Sequence, residues 1–194
     1  AIFGLNPTVF HFNNLLLHLI CVFFVFLFGK RLGLSPLASG LLALLFGIHP
    51  MRVESVAWAT ERKDVLFGVF YLGAMLTYIK FLTKKHKKYL WWTVGLFVLS
   101  LFSKIQAVSL PLTLLAIDYW FKRDLSFKLI IEKTPFWVGS LLFGLMGIYF
   151  LGADGSLDDE TNFSFFERLL VGAYSYCVYL VKWIFPYRMS PMYP

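Results

Sequence analysis

The densest run of polar side chains in the sequence lies at residues 49–64. Four of its members recur at helical intervals: Glu54, Trp58, Glu61 and Arg62. A continuous helix would place them on one stripe. A carboxylate can act as a general base or hold a divalent cation, and a guanidinium binds phosphate oxygens through two parallel hydrogen bonds. The run therefore predicts an amphipathic helix that binds a polar, phosphate-bearing substrate. The alternative is a surface helix with ordinary salt bridges and Trp58 in an interfacial aromatic belt.

Lys104 is the second candidate, because it stands between two long apolar segments. Its ammonium can bind the phosphate of a lipid carrier, or it can simply reach for water from a helix end while its stem lies along apolar surface. The sequence leaves both interpretations open. A third charged residue, Asp118, is expected to pair with Lys122 at i+4 rather than to act in catalysis.

Two further groups have the residue types that bind metals. His11 and His18 are separated by two helical turns and share a helix face with Asn14 between them, and we expect that face to pack against other helices through hydrogen bonds. Zinc usually needs at least three protein ligands, so this pair does not indicate a zinc site. The acidic run at 158–160 can bind a metal or be a solvated loop tip. No metal site is predicted, and a divalent cation stays open as a cofactor.

The composition determines which solvent surrounds the elements that carry these residues. The chain has 194 residues, of which 59% are hydrophobic and only 15% are charged, and its mean hydropathy is +0.70. Soluble domains have about 45–50% apolar and about 25% charged residues. The composition excludes a disordered chain, and too few polar residues remain to cover a soluble core of this size. We therefore predict that lipid is part of the solvent.

Uniformly apolar segments, each long enough or nearly long enough to cross a bilayer, recur along the whole chain. They lie at about 10–29, 34–49, 65–82, 88–103, 105–121, 135–152 and 167–185. The predicted fold class is therefore all-α: a polytopic transmembrane helix bundle with about seven spans, forming a single integral membrane domain over 1–194. The outer loops are expected at about 50–64 and 153–166.

The net charge of +7 has a topological explanation. Eleven of the 18 basic residues fall in the gaps after the first, third and fifth predicted spans, whereas most acidic residues fall in the other gaps. The positive-inside rule then places the basic loops in the cytoplasm and residues 50–64 on the opposite side of the membrane. The predicted location is a bacterial inner membrane, or the endoplasmic reticulum of a eukaryote. A basic chain can indicate nucleic-acid binding, but because the basic residues are explained by topology we expect membrane lipids as partners and no nucleic acid.

Several motifs resemble those of one group of membrane enzymes. The most specific are HPMRVESVAW at 49–58 and ERKDVL at 61–66. Weaker ones are HFNNLLLH at 11–18, SK followed by AVSLP at 103–111, LAIDYW at 115–120 and PYRMSPMYP at 186–194. Together they resemble the GT-C glycosyltransferases that carry C-terminal tetratricopeptide repeats, a group that includes protein O-mannosyltransferases and their bacterial relatives.

The resemblance implies an enzyme that moves a sugar from a polyprenyl- or dolichyl-phosphate carrier to an acceptor protein or glycan on the non-cytoplasmic side. It assigns the following roles. The carrier phosphate would be bound by Arg62, Lys63 and Lys104. The sugar or acceptor would be contacted by two catalytic candidates, His49 and Glu54. Further substrate contacts would come from Trp58 and Asp64.

The main catalytic acid of such enzymes is expected upstream of Ala1, so we expect the chain to be an inactive excerpt without the first span and the repeats. The sequence leaves two other classes of protein open. A transporter subunit would have paired charges near mid-span and inverted repeats. A noncatalytic membrane scaffold is the third interpretation.

Overall fold

The computed structural model describes residues 7–124, 126–153 and 164–187. Within these ranges the chain is all-α, without strands, which confirms the predicted fold class. The described residues form nine helices: α1 (Pro7–Arg31), α2 (Pro36–Ile48), α3 (Val53–Ala57), α4 (Arg62–Lys84), α5 (Lys87–Ser103), α6 (Leu110–Trp120), α7 (Phe127–Glu132), α8 (Thr134–Ala153) and α9 (Phe165–Ile184). Short 3₁₀ turns occur at Pro50–Arg52, Ala59–Glu61 and Ile105–Ser109.

Helices occur at all seven predicted places, but the predicted number of spans is not confirmed. In the described part of the chain, α1, α4 and α8 are each long and apolar enough to cross a membrane. A fourth span results only if α2 and residues 50–57, which are bent by 56°, form one broken span. For α2 the shortfall is one of length. The 13 residues of α2 extend about 20 Å, whereas the hydrocarbon core is about 30 Å thick.

Proline and serine define the limits of α2. The Ser35 hydroxyl accepts a hydrogen bond from the Ala38 amide at 3.2 Å, and Pro36 occupies the first turn, where its missing N–H costs nothing. The helix ends at His49, which has an extended backbone before Pro50. An extended residue before proline is the expected conformation, because the proline ring disfavours the helical one.

The apolar core lies between α4, α5, α6 and α8. Tyr78 and Ile79 of α4, Phe97 of α5, Leu114 of α6 and Phe136 of α8 are all at most 1% exposed. The rings of Phe97 and Phe136 lie 5.4 Å apart in a tilted arrangement. This cluster therefore fixes how the four helices pack.

A second interface joins α1 to the rest of the bundle through polar side chains. Asn14 is fully buried and donates to the Trp58 carbonyl at 3.0 Å, and His18 donates to the Gly47 carbonyl at 3.0 Å. Both bonds confirm the predicted hydrogen-bonding face of α1, although His11 is exposed rather than packed. In an apolar medium such bonds contribute to helix association as well as to its geometry.

The basic loops that follow α1, α4 and α6 meet at one end of the bundle, which we call the basic end. The Trp120 indole nitrogen donates to the Leu32 carbonyl at 3.3 Å, which brings the ends of α1 and α6 together. Lys85 and Arg123 line a common cleft, which brings the α4–α5 turn to the same place. Lys85 adopts a left-handed conformation (φ 55°) that ends α4, while its amide donates to the Phe81 carbonyl.

A buried charge cluster also lies at the basic end. Asp118 is inaccessible to solvent and accepts hydrogen bonds from the Tyr78 hydroxyl at 2.8 Å and from Arg123 at 2.9 Å. It also forms an ion pair with Lys133, which is equally buried. The predicted pairing of Asp118 with Lys122 is therefore wrong. The chain turns after α6, at a left-handed Lys122 (φ 53°), and brings Arg123 back to the carboxylate.

Arg123 completes the cluster by joining Asp118 to Glu132, whose carboxylate lies 3.0 Å from the guanidinium. Desolvation acts to lower the pKa of Arg123, but the hydrogen bonds to Glu132 and Asp118 outweigh it and raise that pKa above its ordinary range. Arg123 therefore stays charged at every physiological pH. The cluster holds α4, α6 and α7 together by charge as well as by packing.

The outward faces of α8 and α9 are apolar. Leu141, Leu145 and Ile148 of α8 and Leu169 and Val181 of α9 are each more than half exposed. Water around so many contiguous apolar side chains would be unfavourable for a monomeric soluble protein, whereas lipid tails solvate them well. This surface agrees with the prediction that lipid is part of the solvent.

Candidate functional site

The polar run at 49–64 does not form the single helix that its spacing predicts. Residues 49–61, which we call the broken segment, contain two 3₁₀ turns and the short helix α3, and α4 begins only at Arg62. The break is at Trp58, whose backbone is extended (φ −89°, ψ 120°). The Trp58 carbonyl accepts from the side chain of Asn14 at 3.0 Å as well as from the Glu61 amide at 3.1 Å. The predicted stripe is therefore interrupted between Trp58 and Arg62, and the predicted outer loop is largely made of helical turns.

Glu54 and Trp58 lie at the surface of the broken segment. Glu54 is in the first turn of α3 and is exposed, and no ion pair involves it within the described ranges. The Trp58 side chain is 54% exposed. A free carboxylate can bind the hydroxyl groups of a sugar, and an exposed aromatic face can pack on a sugar ring.

Two guanidinium groups lie against aromatic rings near this segment. The Arg62 guanidinium carbon is 5.0 Å from the centre of the Phe10 ring, and that of Arg52 is 4.7 Å from the Phe46 ring. The Nε atom of Arg62 is buried and has no hydrogen-bond partner in the described structure. Stacking fixes the plane of each guanidinium without using its terminal N–H groups, so those groups remain available to an anion.

Asp64 and Lys104 form an ion pair between the beginning of α4 and the residue that ends α5. The Ser55 hydroxyl donates to the other carboxylate oxygen of Asp64 at 3.5 Å. About a quarter of each charged side chain is exposed. Asp64 also lies in the first turn of α4, where the helix dipole favours a negative charge. Lys104 is therefore held in place by Asp64, which neither interpretation of the sequence anticipated.

Both ring nitrogens of His49 already have partners. Nδ1 accepts from the Met51 amide at 3.2 Å, and Nε2 donates to the Trp183 carbonyl of α9 at 2.9 Å. These bonds correspond to the neutral tautomer with its proton on Nε2. In this arrangement His49 ends α2 and contacts α9, and both of its nitrogens are bonded to the backbone.

Lys63 lies 3.3 Å from Glu61 and its side chain is 56% exposed. Exposed pairs of this kind are weak, so the ammonium can exchange its partner easily.

The structure brings some of the predicted site residues together and leaves others apart. Asp64 and Lys104 are in direct contact, and Trp58 is joined to α1 next to the start of α4, whereas Glu54 and Lys63 extend to the surface.

Sequence reasoning missed two residues that organise this region, Ser55 and Arg52, and it placed Asn14 on a hydrogen-bonding face without identifying Trp58 as its partner. The signal for Asn14 was present, because an amide within a long apolar helix is costly in lipid unless it has a partner. Ser55 and Arg52 gave no such signal, since both stand in a run that is polar throughout.

No three His, Cys, Asp or Glu side chains lie close enough together to hold a metal ion in the ranges that the structure describes. The acidic run at 158–160 lies outside those ranges. The same holds for most of the predicted outer loop at 153–166 and for residues 188–194 of the motif at 186–194.

Curated proteins similar to this chain are protein O-mannosyl-transferases. The human protein O-mannosyl-transferase TMTC4 is 39% identical over 98 residues, which cover 44% of this chain and 13% of that protein. Tmtc1 of Drosophila melanogaster is 32% identical over 108 residues (55% and 12%), and TMTC3 of Mus musculus is 38% identical over 76 residues (39% and 8%).

The chain is similar to protein O-mannosyl-transferases. This confirms the resemblance drawn from the motifs. The chain spans only 8 to 13% of the length of these relatives. No family model matches the chain, and no solved structure matches it.

Proposed function

We propose that this chain is part of a membrane glycosyltransferase that moves a sugar from a polyprenyl- or dolichyl-phosphate carrier to a hydroxyl group of an acceptor protein. The observation that carries the proposal is the similarity to protein O-mannosyl-transferases from a mammal and an insect. Several helices that are long and apolar enough to span a membrane agree with an enzyme whose sugar donor is a lipid.

The arrangement around the broken segment supports a role in binding the donor. Breaking the bond between sugar and carrier leaves negative charge on the phosphate, and fixed cations stabilise such charge as it develops. Arg62 and Arg52 are oriented by the rings beneath them, and Lys104 is oriented by Asp64. We assign the carrier phosphate to Arg62 and Lys104, with Lys63 as a mobile additional cation.

Glu54 and Trp58 form the sugar or acceptor side of the proposed site. Glu54 is the free carboxylate of the broken segment and can accept a hydrogen bond from a sugar or acceptor hydroxyl. Trp58 offers an exposed apolar face. His49, whose nitrogens are both bonded, positions this segment against α9 in our proposal instead of exchanging a proton. The main catalytic acid remains assigned to a segment upstream of Ala1.

The proposed orientation places the basic end in the cytoplasm and the broken segment on the opposite side. The charge distribution supports it, because eleven of the 18 basic residues fall in the gaps after the first, third and fifth predicted spans. The acceptor would then be modified in the periplasm or in the lumen of the endoplasmic reticulum. Cysteine labelling with a membrane-impermeant maleimide at Lys128 and at Glu54 would test this, and labelling of the Lys128 site from outside would refute it.

The function is tested with the whole protein that contains this chain, reconstituted with dolichyl-phosphate mannose carrying labelled mannose and with an acceptor polypeptide. We expect transfer of the label, and we expect Glu54→Gln and Arg62→Ala each to lower it by about tenfold or more, as loss of a hydrogen bond to a charged group predicts. Lys30→Ala, at the basic end, is the matched control and should transfer normally.

Two results would overturn these assignments. Full transfer in both variants would remove Glu54 and Arg62 from the site while leaving the enzyme class intact. Flux of a solute through proteoliposomes without any sugar transfer would remove the enzyme class itself and favour a transporter subunit.

A further inference from the structure

A cleft of about 750 Å³ opens at the basic end of the bundle, far from the broken segment. It lies between the turn that joins α4 to α5 and the connection from α6 to α7. Its lining comprises Phe81, Leu82, Lys85, Lys87, Leu90, Trp91, Phe121, Arg123 and Glu132. The length of α4, 23 residues or about 35 Å, separates this cleft from Arg62.

The mouth of the cleft carries positive charge that is not neutralised. Lys85 and Lys87 flank the α4–α5 turn, both are exposed, and neither forms an ion pair in the described ranges. Arg123 and Glu132 also line the cleft, but their charges neutralise one another within the buried cluster, unlike those of the two lysines. Two ammonium groups therefore face the cleft without a protein anion.

The wall of the cleft is apolar and aromatic. Phe81, Leu82 and Leu90 are partly buried against the core, whereas the indole of Trp91 is 72% exposed. Exposed tryptophan beside lysine at the end of a spanning helix is the arrangement found at the level of lipid headgroups. A ligand that fills this cleft needs an apolar part for the wall and an anionic part for the mouth.

We propose that the cleft is a binding site for an anionic membrane lipid, whose phosphate contacts Lys85 and Lys87 and whose upper acyl chain packs on Trp91 and Leu90. The position of the cleft favours a lipid over a soluble phosphate, because α4 is apolar enough to span the membrane and ends at Lys84. The cleft thus opens at the depth where lipid phosphates lie. This proposal is independent of the transferase proposed above, since the two sites occupy opposite ends of α4.

The test titrates the whole protein, purified in neutral detergent, with phosphatidylglycerol and with phosphatidylcholine, and counts bound lipid by native mass spectrometry. We expect preferential binding of phosphatidylglycerol. The double variant Lys85→Gln/Lys87→Gln should weaken that binding by about 25-fold, because each of the two cations near a lipid surface contributes about fivefold to affinity. Its binding of phosphatidylcholine should be unchanged.

The matched control is Lys30→Gln/Lys128→Gln. It removes the same charge from the same end of the bundle, and both of its lysines are exposed outside the cleft. An equal loss of phosphatidylglycerol binding in the control would overturn the proposal, because general attraction to a basic surface would then explain the preference.

A third variant tests the apolar wall. Trp91→Ala should weaken binding of phosphatidylglycerol but not that of glycerol phosphate. Because Trp91 is exposed, we expect the variant to fold normally, and a measurement of its thermal stability would reveal a folding defect separately from a loss of binding. Binding of glycerol phosphate as tight as that of the lipid would overturn the proposal in favour of a soluble phosphate site.

Discussion

Lys133 and Asp118 form an ion pair in which neither side chain reaches the surface of the bundle. The pair joins α6 to the junction of α7 and α8, and the Tyr78 hydroxyl of α4 donates to the same carboxylate. Taking two charges out of water is costly, so such a pair is stable only when further hydrogen bonds satisfy it. Three donors around Asp118, from Lys133, Tyr78 and Arg123, meet that condition.

Asp118→Asn should therefore destabilise the bundle strongly, because it leaves the buried Lys133 ammonium with only the more distant carboxylate of Glu132, 3.7 Å away, as a counter-charge. We expect the free energy of unfolding to fall by about 3 kcal/mol or more. The measurement is thermal unfolding in detergent. The double variant Asp118→Asn/Lys133→Met should recover most of the loss, and a single variant as stable as the native protein would contradict the buried pair.

The apolar segments could be located from sequence because lipid demands long runs of apolar residues wherever they lie in the chain. The core could not, because the burial of Tyr78 and Phe136 depends on how helices from distant parts of the sequence pack. The same holds for Asp118. Its local partner at i+4 was Lys122, but the left-handed turn at Lys122 made Arg123 and Lys133 the actual partners.

In the candidate site too, features set by the local sequence could be predicted, whereas features set by contacts between distant residues could not. The polar run, its residue types and its similarity to mannosyl-transferase motifs were all visible in the sequence. The break at Trp58 was not, because its carbonyl binds Asn14, which stands 44 residues earlier. The pairing of Asp64 with Lys104 was likewise invisible, since it requires α4 and α5 to pack antiparallel.

Asn14→Leu should loosen the broken segment, because the Trp58 carbonyl loses one of its two donors and keeps only the Glu61 amide. We expect faster backbone hydrogen exchange across residues 58–62 and a loss of about 1 kcal/mol in stability. Asn13→Leu is the matched control, since Asn13 is the neighbouring amide on α1 but is exposed. Unchanged exchange in Asn14→Leu would show that the break at Trp58 has another cause.

Gly139→Ala should displace α8 from the core. A β-carbon at Gly139 would lie 2.8 Å from the buried ring of Phe97, and that ring has little room to move. Overpacking of this kind costs about 1–3 kcal/mol, which should appear as a lower melting temperature. Gly144→Ala, on the same helix, meets no atom within 4 Å and should be neutral or slightly stabilising. Equal melting temperatures for the two variants would argue against the close approach of α8 to α5.

The ion pair between Asp64 and Lys104 should show energetic coupling in a double-mutant cycle with Asp64→Asn and Lys104→Met. We expect a coupling of about 1 kcal/mol, because each side chain is mostly shielded from solvent and the pair closes the packing of α4 against α5. The control cycle uses Glu61→Gln and Lys63→Met, whose lysine is more than half exposed, and should give about 0.5 kcal/mol or less. If both cycles give the same small coupling, Lys104 is not fixed by Asp64, and its proposed orientation toward a carrier phosphate loses its structural basis.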